Sequence, residues 1–401
     1  MNQFLLLMTA ACLALLRPLG VVAAEAPPMI VADGPASSGQ FVAADGPAWK
    51  LRFNNGGTAR EIAASDLVAW GGFVEPNDPL RIILAGGGLI VVDSVKIDKD
   101  QLHAQSQVFG AVKLPLELIA GVVFRPPFAH SAGDQLLTHI GSSAGQTDRV
   151  LLDNGDELTG TIASLVDATL DLETDAGRVD VALPKVAALI FNPTLVYKSR
   201  PSGLRALVGY RDGSRVTAMS LSAIKNVAQV KLAGGVELKS TTDAIVALQP
   251  LGGRAVYLSD LTPASYRHIP YLQLSWPYQA DRSVLGGQLR AGEKLVPKGL
   301  GMHSPARITY DLGQSFRRFQ AELAIDAEAG RRGSVVFRVF TDDGSGAWQE
   351  RATSETIRGD QPPVPISVDL IGAKRLSLLV DYADRGDELD HADWLNARLI
   401  R

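Results

Sequence analysis

The middle of the chain repeats itself, and that repetition limits what it can fold into more than any other feature. Arg81–Pro126, Arg149–Pro193 and Leu207–Pro250 can be laid over one another. Each opens with an apolar strand and a Gly or Asp-Gly turn, as in Arg149-Val-Leu-Leu-Asp-Asn-Gly155 and Leu207-Val-Gly-Tyr-Arg-Asp-Gly213. Each continues through apolar alternation to a second turn, at Gly110, Gly177 or Gly234. Each then closes on an aliphatic run before Pro: Val122-Val-Phe-Arg-Pro126, Leu189-Ile-Phe-Asn-Pro193, Val246-Ala-Leu-Gln-Pro250. A partial copy is expected at Trp49–Trp70. Four or five strands in a unit of about 45 residues can close into a small barrel, which removes exposed strand edges. Repetition of such a unit points to a structural array or a binding platform.

The rest of the chain has the same period. Ile308, Tyr310 and Leu312 alternate with Arg307, Thr309 and Asp311, and Phe319, Ala321, Leu323 and Ile325 alternate with Gln320 and Glu322. Leu376, Leu378 and Val380 share a face opposite Ser377, Leu379 and Asp381. Period-two runs broken by Gly, Asp and Asn predict an all-β chain. The expected order is a first repeat region at 25–127, a connector at 128–148, further repeats at 149–193 and 194–255, and a separate unit at 256–401. Within the connector, one helical turn is expected at Asp134–Ile140. Gly141-Ser-Ser-Ala-Gly145 there fits the G-x-S-x-G pattern of a nucleophile elbow, but no strong strand precedes it and no amphipathic helix follows. It reads as a loop.

The N-terminus reads as a leader. Phe4–Leu16 is apolar and is followed by small residues ending in Val22-Ala23-Ala24, the pattern of a signal peptide spanning 1–24 with cleavage after Ala24. A run of about 13 residues is too short to span a bilayer. The protein is therefore expected outside the cytoplasm: secreted, periplasmic or at the cell surface, and not membrane-embedded. The one cysteine, Cys12, lies within the leader. The processed chain would then have no disulfide, thiol nucleophile or cysteine-ligated zinc. A net charge of -4 gives no basic footprint for nucleic acid.

Composition changes near residue 255, where Trp276, Tyr278 and Asp281-Arg282 introduce a new vocabulary. Three stretches beyond it stand in order. They are Lys298-Gly-Leu-Gly-Met-His-Ser304 with Ile308-Thr-Tyr-Asp-Leu312, then Gly333-Ser-Val-Val-Phe-Arg-Val339, then Asp390-His-Ala-Asp-Trp-Leu-Asn-Ala-Arg-Leu399. Together they resemble the NPCBM/NEW2 family, the carbohydrate-binding module often attached to bacterial glycoside hydrolases. The resemblance implies a jelly-roll β-sandwich, a carbohydrate ligand and a structural calcium. The fold expected for the whole chain is thus all-β: tandem small barrel-like repeats followed by a C-terminal jelly-roll β-sandwich.

Sugar recognition uses a flat aromatic face against the apolar side of the ring, with polar groups that satisfy the hydroxyls. Trp348, in a Gly-rich turn, and Trp394, in the last strand, are the aromatic candidates. Arg385, His303, His391 and Asp390 could supply hydrogen bonds. Tyr278 is expected to pack the sandwich end. Calcium takes six to eight oxygens from an irregular loop, and Asp384, Asp387 and Asp390 flank a turn at Gly386 that could offer them. A solvated acidic hairpin is the competing reading.

Nothing points to catalysis. There is no H-E-x-x-H, no P-loop and no G-x-G-x-x-G before a helix. A glycosidase needs two opposed carboxylates in a cleft, commonly on a barrel of strands alternating with helices. The residues outside the module read instead as β repeats. The expectation is an exported, non-catalytic carbohydrate-binding protein whose repeats act as spacer or second binding platform. The alternatives are a surface or assembly protein that uses the sandwich to contact other extracytoplasmic proteins, and an accessory part of a glycoside hydrolase system.

Overall fold

The computed structural model describes residues 26–197, 201–270 and 274–401. The leader expected at 1–24 lies outside them. Its regular structure is almost entirely antiparallel strand, with one α-helix.

The last repeat shows the unit most simply. Arg205–Tyr210 pairs with Arg215–Ile224, which pairs with Val227–Leu232, and that strand pairs with Glu237–Thr241. A short 3-10 turn, Thr242–Ala244, leads into Ile245–Leu251, which returns to the first strand. Ala206, Val208 and Tyr210 point inward while Arg205 and Leu207 lie nearer solvent, as the alternation requires. The long second strand shifts register between Ala218 and Ser220. Such a bulge bends a strand sharply enough to serve both sides of a small barrel. The 149–193 unit repeats the device between Ile162 and Ser164. The partial copy expected at Trp49–Trp70 is the latter part of a fuller set of strands, Pro28–Val31 through Leu67–Gly71.

Order in space differs from order in sequence. The closing strand of the first unit pairs with that of the fourth (Gly71 with Ala247, Trp70 with Leu248). The closing strand of the second pairs with that of the third (Gly121 with Ile190, Val122 with Leu189). The long second strands also meet, Ala44 with Ala223 in one pair and Ile97 with Leu165 in the other. The two pairs join where Gly88–Val91 meets Arg215–Ile224. Glycine permits the approach: a Cβ on Gly71 would stand 1.9 Å from the Val246 carbonyl oxygen, and one on Gly121 2.4 Å from that of Leu189. One hydrophobic core runs through all four units.

Beyond residue 254 the chain forms a sandwich. One sheet has the order Gln279–Ala280, Gly299–His303, His391–Ile400, Arg318–Ile325, Val364–Asp369, with Ala255–Tyr257 added on His391–Ile400. The other has the order Ser265–His268, Ala306–Asp311, Arg375–Tyr382, Ser334–Asp342, Gln349–Thr353. Between them lie Phe319, Phe337, Trp394 and the alternating aliphatics.

The connector holds more than a single helical turn. His130–Gly141 is a twelve-residue α-helix, and it reaches the sandwich. Asp134, almost fully buried, accepts from Arg290 Nη1 at 2.7 Å and from the backbone of Gln288 at 2.8 Å. Arg290 also pairs with Glu75 at 2.8 Å. Residues 281–298 therefore lie between the barrels and the outer face of the sandwich. No described helix is long and apolar enough to cross a membrane.

Candidate functional site

Strand Gly299–His303 and strand His391–Ile400 are neighbours, in a register that sets His303 opposite His391. Their rings lie 5.6 Å apart between centroids. Trp276 covers them, parallel to the His303 ring within 4° at a centroid distance of 5.1 Å. His268 meets His303 edge-on at 5.6 Å. Both His303 and His391 are buried, whereas Trp276 and His268 keep part of their surface in solvent. The result is a half-exposed indole on a bed of imidazoles.

Local hydrogen bonds fix this arrangement. His303 Nδ1 lies 2.8 Å from the Ser304 carbonyl, which can only accept, so Nδ1 carries the proton and Nε2 is left as an acceptor. The backbone N–H of Trp276 donates to His268 Nδ1 at 3.2 Å, so His268 carries its proton on Nε2, 3.3 Å from the same carbonyl. Burial lowers the pKa of both His303 and His391, which favours neutral rings.

Asp390 lies beneath the turn. Its Oδ2 accepts from the Ser304 hydroxyl at 2.6 Å and its Oδ1 from the Ser334 amide at 2.8 Å. Burial pushes its pKa up to about 6. The carboxyl thus ties the 303–305 turn to strand Ser334–Asp342 and points at protein on both sides. Asp393, three residues on, is buried with neither carboxyl oxygen hydrogen-bonded among the described residues. Burial raises its pKa well above the ordinary carboxylate value.

The motifs quoted from the sequence carry His303, Asp390 and His391, while Trp276 and His268 lie outside them. Residues 254–400 match the NPCBM/NEW2 domain. A curated protein of Renibacterium salmoninarum that bears the name of an endo-alpha-N-acetylgalactosaminidase is 32% identical over 115 residues, 29% of this chain and 7% of that protein. Among solved structures, the CBM51-2 and INT domains of Clostridium perfringens ZmpB, in complex with GlcNAc, are 27% identical. That match covers 45% of this chain and 37% of that one, with a TM-score of 0.33. A CBM51 module from Clostridium perfringens GH95, in complex with methyl-galactose, is 25% identical, covering 36% of this chain and 99% of that one, with a TM-score of 0.32. The chain spans well under two thirds of the first two of these proteins.

Within the NPCBM/NEW2 segment the predicted residues separate. His303, His391 and Asp390 come together as described. Trp394 does not join them. It is fully buried, edge-on to Phe337 at 4.8 Å, and belongs to the core. Trp348 stands apart from this cluster, and Arg307 and Arg375 lie over its ring at 4.6 and 4.9 Å. Arg385 is exposed on the Asp384–Asp390 turn, in left-handed backbone at φ +63°. Tyr278 packs on Tyr266 at 5.2 Å.

The acidic turn does not fit calcium. Asp384 pairs with Arg358 at 2.7 Å, Asp390 is buried with both oxygens occupied, and only Asp387 is left. The described residues contain no group of three acidic, histidine or cysteine side chains placed to hold a metal ion. The Gly141–Gly145 segment follows the helix rather than a strand, and Ser143 Oγ accepts from Arg149.

Trp276 was not among the sequence candidates. Its signal was present, an aromatic next to Pro277 in the new vocabulary after residue 255. Its partner is 27 positions away, and Trp276 is held against it by backbone hydrogen bonds to the His268 ring and the Tyr266 hydroxyl.

Proposed function

We propose that this is an exported, non-catalytic glycan-binding protein whose NPCBM/NEW2 segment takes a sugar on Trp276. One observation carries the reading: a half-exposed indole is held flat on His303, with an imidazole nitrogen free to accept beside it. An aromatic held this way offers its apolar surface to a sugar without first losing rotamer freedom. His391 and the His268 ring flank it, and Asp390 positions the turn from below rather than touching ligand. The relatives named for a glycan-processing enzyme, or solved with GlcNAc and methyl-galactose, point to the same ligand class. The apolar run at Phe4–Leu16 supports export. The four barrels would hold the sandwich out as a spacer. A glycan array probed with the full chain tests the reading. Binding to a defined family of glycans is expected, and an array with no glycan above background would contradict it.

A further inference from the structure

A second site lies where the barrels meet the sandwich. Between the Gly86-Gly87-Gly88 turn and the 281–298 segment is a cavity of about 270 Å³. Phe73, Leu207, Leu289 and Leu295 form much of its wall, and Arg215 and Arg282 both line it. A neighbouring cavity of about 240 Å³ shares Gly87, Gly88 and the same two arginines.

The two guanidiniums are unusual for their surroundings. Two other cations at the junction have carboxylates: Arg290 has Asp134 and Glu75, and Lys298 has Asp260 and Asp281. Neither Arg215 nor Arg282 makes a salt bridge among the described residues. Arg282 Nη1 donates to neutral groups, Thr138 Oγ1 at 2.8 Å and the Gly286 carbonyl at 3.1 Å. Arg215 Nη2 donates to the Gln288 side chain, and its Nη1 is buried with no partner. A buried donor left unpaired costs about 1–3 kcal/mol, more when charged. Burial also lowers the pKa of Arg215 to about 10, which leaves it charged at neutral pH. At Gly86 and Gly87 the space where a Cβ would stand is empty. Asp281 and Lys298 also line the cavity, but as a pair, and Glu75 and Asp134 act on Arg215 without touching it. A largely apolar cavity with two guanidiniums that lack a direct carboxylate partner has the chemistry of a carboxylate pocket.

We propose that this cavity binds a small organic carboxylate, with its charge on Arg215 and Arg282 and its body between the glycine turn and Phe73. The site is separate from Trp276 and needs both halves of the molecule, so its ligand would fasten the barrels to the sandwich.

The test uses the full chain, followed by calorimetric titration and thermal melting. The probes are glucuronate against glucose, benzoate against benzyl alcohol, and inorganic phosphate. Saturable binding of either acid, with a raised melting temperature and no effect of its neutral counterpart, is expected; which acid binds distinguishes a sugar acid from a non-sugar one. Arg215→Gln and Arg282→Gln should each weaken it at least tenfold, and Trp276→Ala should leave it unchanged. Gly86→Leu fills the open space without disturbing either arginine, and should abolish binding even if an arginine variant fails to fold. Binding equal for acid and neutral probe, binding of phosphate alone, no binding, or binding retained in Gly86→Leu would each overturn the proposal.

Discussion

Three tryptophans of the sandwich segment have three different environments, and substitution should separate them. Trp394 is enclosed by Phe319 and Phe337, so Trp394→Ala should cost roughly 3–5 kcal/mol in a urea melt. Trp348→Ala loses contacts with two arginines and should cost less, with glycan binding intact. Trp276→Ala should leave the core untouched. Sequence alone could not sort them, because burial is decided by which sheet face a position occupies. Trp394, in the last strand, reads as more often core than ligand contact, and pairing strands Arg318–Ile325 and His391–Ile400 places it there. Asp390 and His391, adjacent in sequence, were legible as candidates, but their roles were not: one faces Ser304 and Ser334, the other His303 and Trp276. A pH profile tests the Asp390 account. Its folded pKa, about 6, exceeds the ordinary carboxylate value of 3.8. Between those values the folded chain holds a proton that the unfolded chain has released, so stability falls as pH rises through that window. Asp390→Asn keeps an acceptor but does not titrate. From pH 4 to pH 7 the wild type should lose roughly 2–3 kcal/mol relative to this variant. His303 and His391, whose lowered pKa values make acid destabilising, occur in both proteins and cancel in the difference. Parallel slopes for the two proteins would refute the burial argument.

At the scale of elements, the barrels were the most legible part of the molecule. Period-two alternation and the Gly turns place the strands within each unit, because each strand must bury one face against its own hairpin partners. The pairing of units was not legible: first with fourth and second with third depends on contacts between aliphatic closing strands that look alike in every copy. Gly71 and Gly121 are the visible trace of it, since only glycine admits the partner carbonyl at that distance. Gly121→Ala forces the strand Val186–Ile190 away and should cost about 1–3 kcal/mol. Gly141→Ala, at a helix end with open space around it, should be close to neutral. Equal effects of the two substitutions in chemical denaturation would remove the glycines from the account of barrel pairing. The helix His130–Gly141 shows as one turn in the sequence because His130, Ser131 and Gly133 dilute its amphipathic pattern. What holds it is tertiary: Leu136, Leu137 and Ile140 pack on the barrel strands, and Asp134 caps the far side with Arg290.

The molecule as a whole joins four barrels to a sandwich through apolar, hydrogen-bonded and ionic ties. Ala255 and Ile400 pack on Ala32 and Val68, Tyr257 donates to the Val68 carbonyl at 3.3 Å, and Asp134 binds Arg290 in a buried pair. Removing one partner of such a pair leaves a buried charge and typically costs about 3–5 kcal/mol. Asp134→Ala should therefore loosen the junction before either half unfolds, and calorimetry should resolve two transitions where the wild type gives one. A single transition at an unchanged temperature would show that the pair does not couple the halves. Rigid coupling matters to function because barrels that spread or assemble the sandwich would act through avidity, raising weak affinity for a sugar without new contacts. That weakness is expected, since each hydroxyl exchanges water for protein with little net gain. The central claim is that the sugar sits on Trp276, and the most direct measurement is calorimetric titration of the strongest array glycan into the full chain and its Trp276→Ala variant. At least a tenfold loss of affinity, with an unchanged melting temperature, is the predicted result; equal affinity in the two proteins would contradict it.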